Sequence, residues 1–234
     1  MLSKNKIKFV SSLKKKKFRK ETARFIAEGT KVVKELYHSG FHIEYLFGTN
    51  KWILNHLSGT QPGNILQVIP VSEQELKKIS NQTTPNQVLA VAEQPKYRLD
   101  HQELQAQLSL VLDRINVPGN LGTIVRLADW FGIPNIICSY DTADIYNPKA
   151  IQATMGSVAR VKVHYYDLKD LLASHQHVKN FSVYGTYMEG ENIYQSSLHA
   201  KGFIVMGSES HGISENLNHY IPNKLSIPNF SARH

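Results

Sequence analysis

One cysteine, Cys138, stands among 234 residues, so no internal disulfide can form and no second thiol is present for a structural zinc site. A reducing compartment suits such a chain, and a cytoplasmic location is the expectation. Long apolar runs are also missing. The most hydrophobic stretches, 108–115 and 203–206, fall well short of the roughly 20 residues that a bilayer-spanning helix needs. No membrane helix is predicted. The N-terminus lacks the apolar core and small-residue cleavage site of a secretory signal, although it shares a basic, acid-poor character with transit peptides. There is no internal repeat, which excludes a solenoid. GxGxxG spacing and a Walker lysine are absent, which argues against dinucleotide and P-loop sites. The histidines do not cluster with partners. His175 and His177, and His211 near Ser208 and Ser210, lack carboxylates or thiols at ligand or triad spacing, so no metal site and no catalytic histidine are expected.

What is present is a strong division of charge. Residues 1–34 carry twelve Lys or Arg against two acids, a net of +10, whereas the remaining 200 residues come to −2. The run Lys14, Lys15, Lys16, Lys17, Phe18, Arg19, Lys20 reads as a basic arm over residues 1–20, able to neutralise several phosphates with salt-dependent affinity. A solvated charged run is the plain alternative.

Beyond the arm, the spacing of Phe25, Ile26, Val32, Val33, Leu36 and Tyr37 predicts a helix over 21–40, stopped by Gly40. Strands are predicted at 43–47, 66–69 and 88–91. Ser72 with Glu75 three residues on marks a helix start. Residues 21–92 therefore read as a small α+β domain, and the polar stretch 93–107 as a linker. From 108 to 234 apolar strands at 108–112, 136–139, 161–165, 182–186, 203–206 and 225–227 alternate with helical segments, the pattern of an α/β domain with a parallel sheet.

Three segments join strands to helices. In NVPGNLGTIVRLADWFG, Asn120 reads as a helix cap, and Ile124, Leu127, Ala128 and Phe131 as an apolar face. Arg126 lies six residues further on, near the sheet edge where ligands bind in open α/β folds. In FIVMGSESHGISENL a strand delivers Gly207, Ser208 and Glu209 to a loop, and Ser214 starts a helix. In YNPKAIQATMGSVARVKV, Asn147 caps a helix begun by Pro148, and Lys149 and Arg160 are candidate phosphate contacts. Each segment is also explicable as an ordinary strand-to-helix turn.

Together the segments resemble the SpoU (TrmH-like) branch of the SPOUT-class RNA ribose 2′-O-methyltransferases over nearly the whole chain. PGNLGTIVRLADWFG is similar to its first motif and MGSESHG to its second. RFIAEGTKVVKEL and NQVLAVAEQP resemble the substrate-binding domain of ribosomal RNA members. The resemblance implies a trefoil-knotted sheet, an RNA substrate that is ribosomal rather than transfer RNA, S-adenosylmethionine as cofactor, a homodimer, and catalysis by Asn120, Arg126 and Glu209. It implies cofactor contacts at Thr186, Met206, Gly207 and Ile227.

Two departures are visible. Val117 stands where an aspartate often precedes the motif proline, and SIPNFSARH stops where a third motif should follow. The sequence as given is expected to lack its last knot strand and helix, and so to bind cofactor weakly. A non-catalytic RNA-binding or ribosome-assembly protein that kept the fold is the alternative. Because a guanidinium stays protonated, Arg126 is expected to hold phosphate and developing oxyanion charge, with the proton leaving to phosphate, water or Glu209.

Overall fold

The computed structural model describes residues 2–57 and 63–230. The chain begins with α1 (Lys4–Ser12), α2 (Lys16–Thr22), β1 (Arg24–Glu28), α3 (Thr30–His38), β2 (Ile43–Gly48), α4 (Asn50–Leu57), β3 (Ile65–Pro70), α5 (Glu73–Ile79) and β4 (Val88–Glu93). The strands form one sheet in the order β1-β4-β2-β3, in which β4 runs antiparallel to both neighbours and β3 lies parallel to β2.

One expectation is corrected here. The stretch 21–40 is not one helix: Arg24–Glu28 pairs along its whole length with β4, and Gly29, at φ 94°, turns the chain into α3. Phe25 and Ile26 fit a helical period only because a fully buried strand is apolar at consecutive positions. The basic segment 1–20 packs on the sheet of this unit. Val10 and Leu13 are completely buried and pack with Ile26, Phe47, Leu89 and Val91, which anchors α1 and the start of α2 to the sheet. The predicted capping box is present, Ser72 Oγ accepting from Glu75 N and Glu75 from Ser72 N.

The second half contains α6 (His101–Ala106), β5 (Leu108–Leu112), α7 (Pro118–Trp130), β6 (Asn135–Cys138), α8 (Pro148–Thr154), β7 (Lys162–Tyr165), α9 (Leu168–His175), β8 (Ser182–Asn192), β9 (Gly202–Met206) and β10 (Asn223–Ser226). Its six strands are all parallel, in the order β10-β8-β9-β5-β6-β7. The expected parallel α/β sheet is therefore observed. Val111, Ile137, Phe203 and Val205 on central strands are buried with Leu171 and Leu172 of α9, as strands covered on both faces require. The predicted stop within SIPNFSARH falls at 231–234, outside the described residues.

The chain separates into two compact units. One comprises the residues up to Lys96 with Pro118–Leu127 and Asp144–Arg160; the other comprises Tyr97–Val117, Ala128–Ala143 and the residues from Val161 onward. The four-stranded sheet belongs to the first unit and the six-stranded sheet to the second.

Candidate active site

In the second unit the strand order reverses at β5. The chain moves outward to β6 and β7, then crosses to β8, β9 and β10 on the other side, with β9 returning to β5. Such a switch point opens a crevice at the carboxyl ends of the strands, where α/β proteins hold ligands. The loops after β5 and β9 meet there. Asp113 N donates to Met206 O at 2.9 Å, and the buried Asp113 carboxylate accepts from Ser214 N at 2.7 Å and Ser214 Oγ at 2.5 Å. Ser214 is thus a tie between loops; the helix expected after it is a 3-10 turn over Glu215–Tyr220.

Between those ties, Ser208 and Gly212 exchange backbone hydrogen bonds of 3.1 and 2.8 Å, closing a small loop. A Cβ at Gly207 would lie 2.0 Å from the Gly212 carbonyl carbon, so only glycine permits this closure. Glu209 sits on the closed loop, exposed and without a side-chain partner among the described residues. Thr186 lies beside Met206 because Gly185 pairs with Val205, and Thr186 Oγ donates to Val205 O at 3.3 Å. Ile227 follows β10 rather than ending a strand at this edge, and is 69% exposed. Thr186 and Met206 are therefore neighbours across β8 and β9 with Gly207 directly after, whereas Ile227 follows Ser226, which pairs with Asn192 at the far end of β8.

Asn120 and Arg126 lie on the part of α7 assigned to the first unit. The helix starts at Pro118, so Asn120 is inside its first turn and is not the cap. The buried stripe is Leu121, Val125 and Ala128; the expected apolar residues Leu127 and Phe131 are 51% and 72% exposed. Asn120 and Arg126 are exposed and carry no side-chain hydrogen bond or ion pair among the described residues. Six helical steps separate them, about 9 Å along the axis and roughly 120° around it, so they occupy different sides of the helix.

The predicted phosphate contacts divide. Lys15, Lys16, Lys17 and Lys20 are exposed, and Lys14 is exposed while its Nζ donates to Ser80 O at 2.9 Å. Arg19 corrects the expectation: it is 2% exposed, donates to Leu13 O and Lys14 O, and pairs with Asp144 at 2.6 Å. Its partners are internal because the turn between α1 and α2 closes over its guanidinium. Lys149 is exposed at the start of α8, whose cap is the predicted Asn147, accepting from Lys149 N. Arg160 is paired with Glu35.

Asp113 is the residue that sequence reading overlooked. Its signal was an acid placed directly after the apolar run LSLVL, a position where burial demands a partner. Among the described residues, no group of three or more potential metal ligands is found. Among the described residues no helix is long and apolar enough to cross a membrane.

A six-stranded parallel sheet whose order reverses at β5 defines a doubly wound α/β architecture. Residues 107–233 match the model of the SpoU rRNA methylase family, and residues 4–90 that of an MRM3-like substrate-binding domain. The chain belongs to the SpoU rRNA methylase family. It is 28% identical over 227 residues to the 23S rRNA (guanosine(2553)-2′-O)-methyltransferase RlmP of Bacillus subtilis, covering 93% of this chain and 87% of that one. A candidate RNA methyltransferase of the TrmH family from Porphyromonas gingivalis superposes with a TM-score of 0.88 at 35% identity, covering 99% of this chain and 91% of that one. An S-adenosylmethionine-bound rRNA methyltransferase from Sinorhizobium meliloti gives 0.84 at 27% identity, covering 100% and 89%.

Proposed function

We propose that this chain transfers a methyl group from S-adenosylmethionine to a ribose 2′-hydroxyl in ribosomal RNA. The observation that carries the reading is the family match over 107–233 together with Asn120, Arg126 and Glu209, all exposed and free of internal side-chain partners.

The strand ends suit the cofactor. Thr186 and Met206 are half-buried on adjacent strands, Gly207 follows directly, and Ile227, after β10, offers an uncovered apolar side chain. When bound, S-adenosylmethionine supplies an electrophilic methyl group. The chain's own contribution is then to position the ribose and stabilise charge. The planar guanidinium of Arg126 holds an RNA phosphate and the developing negative charge on the ribose oxygen, and the hydroxyl proton passes to phosphate, water or Glu209. Asn120, on another side of α7, holds the ribose. Glu209 contacts the substrate from its closed loop.

The substrate-binding match at 4–90 and the RlmP relationship favour ribosomal over transfer RNA. We place the protein in the cytoplasm on its single thiol, and as a homodimer with a trefoil knot on family grounds. Trp130 and Phe131, 84% and 72% exposed, support a pairing surface.

The test is transfer of labelled methyl to rRNA, with ribose methylations mapped in cells with and without the protein. One lost 2′-O-methyl site supports the reading; RNA binding without transfer would instead support a non-catalytic assembly role. Arg126→Lys is expected to keep RNA binding and lose turnover about a hundredfold, in line with removal of one oxyanion contact. Full activity in that variant would overturn the assignment.

A further inference from the structure

The first compact unit contains a cavity of about 560 Å³ that no step above uses. That volume falls within the roughly 300–1,000 Å³ typical of ligand sites. Its walls combine three kinds of chemistry. Pro118 and Pro148, the first residues of α7 and α8, present flat apolar rings. Lys14 and Lys149 bring positive charge, and neither has a carboxylate partner among the described residues. Asn81, Gln82, Asn147 and Gln152 supply amides, and Ile26 and the Glu28 carboxylate complete the lining.

Those amides are held in fixed orientations. The buried Glu28 carboxylate accepts from Ser80 Oγ at 2.5 Å, Asn81 N at 2.8 Å and Asn81 Nδ2 at 3.0 Å. Its charge is thereby matched by three donors, and Asn81 keeps its carbonyl oxygen and one N–H for a ligand. Gln82 is clamped at both ends, its Nε2 donating to Gln152 Oε1 at 2.9 Å and its Oε1 accepting from Asn86 Nδ2 at 2.6 Å. Gln152 is left with its Nε2 donors unspent. An amide that both accepts and donates, beside a further donor, is suited to the polar edge of an unpaired base.

We propose that this cavity binds one nucleotide of the RNA substrate, a neighbour of the one methylated, and that Asn81 and Gln152 read its base while Lys14 and Lys149 hold its phosphate. The proposal rests on the RNA-methyltransferase reading and adds a specificity site to it. The bound nucleotide is not the target itself. Asn120 and Arg126 do not line the cavity, and Arg126 lies about 12 Å along α7 from Pro118.

Binding of the full chain to fluorescein-labelled hexaribonucleotides of A, C, U and alternating GU tests this by anisotropy. The unmodified chain should prefer one sequence about tenfold. Asn81→Ala and Gln152→Ala, both at exposed positions, should reduce the preference to about twofold, whereas Lys149→Ala should weaken every hexamer alike. Equal binding of all four by the unmodified chain, an unchanged preference in both amide variants, or equally effective displacement by free nucleoside monophosphates would overturn it. Methyl transfer to rRNA measured in parallel separates the two readings. A chain that methylates but shows no amide-dependent preference refutes the cavity and keeps the enzyme. Amide-dependent preference without methylation does the reverse.

Discussion

Arg19 shows how far a residue's role depends on partners that lie remote in sequence. Counted as one cation in a basic run it belongs with RNA, yet its partner Asp144 lies 125 positions away and the pair is largely removed from water. Removing one member of such a pair strands the other. Arg19→Ala is therefore expected to lower unfolding free energy by about 3 kcal/mol in urea titrations while leaving the salt dependence of RNA binding unchanged. His164 and His175 make a second case. Burial, foremost, holds both below the ordinary imidazole pKa; Lys162 adds to this at His164 and His101 at His175, where a bond to Leu171 O opposes it. The unfolded chain takes up these protons near pH 6.5 and the folded chain resists them. Their stabilisation is thus complete above about pH 6.5 and is lost as pH falls through the lower folded values. Thermal melts should show a lower Tm at pH 5.5 than at pH 7.5, a window above most carboxylate titration. His164→Gln with His175→Gln should flatten that slope, and an unchanged slope would count against the two imidazoles.

At the level of elements, α7 and α8 cross at Gly122, where a Cβ would lie 2.4 Å from Ala150 O and 2.6 Å from Ala153 Cβ. Alanine in a helix interior ordinarily gains about 1 kcal/mol over glycine, whereas forcing atoms into a packed contact costs about 1–3 kcal/mol. The clash involves backbone, so it wins. Gly122→Ala should lower stability by about 1 kcal/mol and reduce methyl transfer by shifting the turn that carries Asn120; a stabilised, fully active variant would contradict this contact. Features set by neighbouring residues were legible in the sequence: the Ser72–Glu75 box, the Asn147 cap, and the strand at Leu108–Leu112. Those set by distant partners were not. β1 resembled the start of a helix because its identity comes from pairing with β4, more than sixty residues on. The exposure of Trp130 and Phe131 was equally hidden, since an apolar side chain carries no mark of which side is left uncovered. The neighbourhood of Thr186 and Met206 follows from strand order, which a linear pattern does not encode.

Over the whole molecule, charge and compactness do not divide the chain in the same way. The excess of positive charge lies in residues 1–34, while the first compact unit also takes in segments carrying Asn120, Arg126 and Lys149. RNA held by the exposed lysines of α2 and the turn before it would thus be held by the same unit that presents the candidate catalytic helix. Attraction of this kind is read by salt, because each phosphate neutralised releases counterion. Lys15, Lys16, Lys17 and Lys20 are exposed, so each that meets RNA should contribute roughly 0.7–0.9 to the slope of log affinity against log salt. Replacing Lys16 and Lys17 together by alanine should therefore reduce the slope by about 1.6 and weaken all RNAs alike, with no change in the hexamer preference assigned to Asn81 and Gln152. A slope unchanged by the double replacement would mean that the basic run is a solvated face and that RNA is drawn in elsewhere. A preference that shifted with it would mean that affinity and base reading are not separable in this fold.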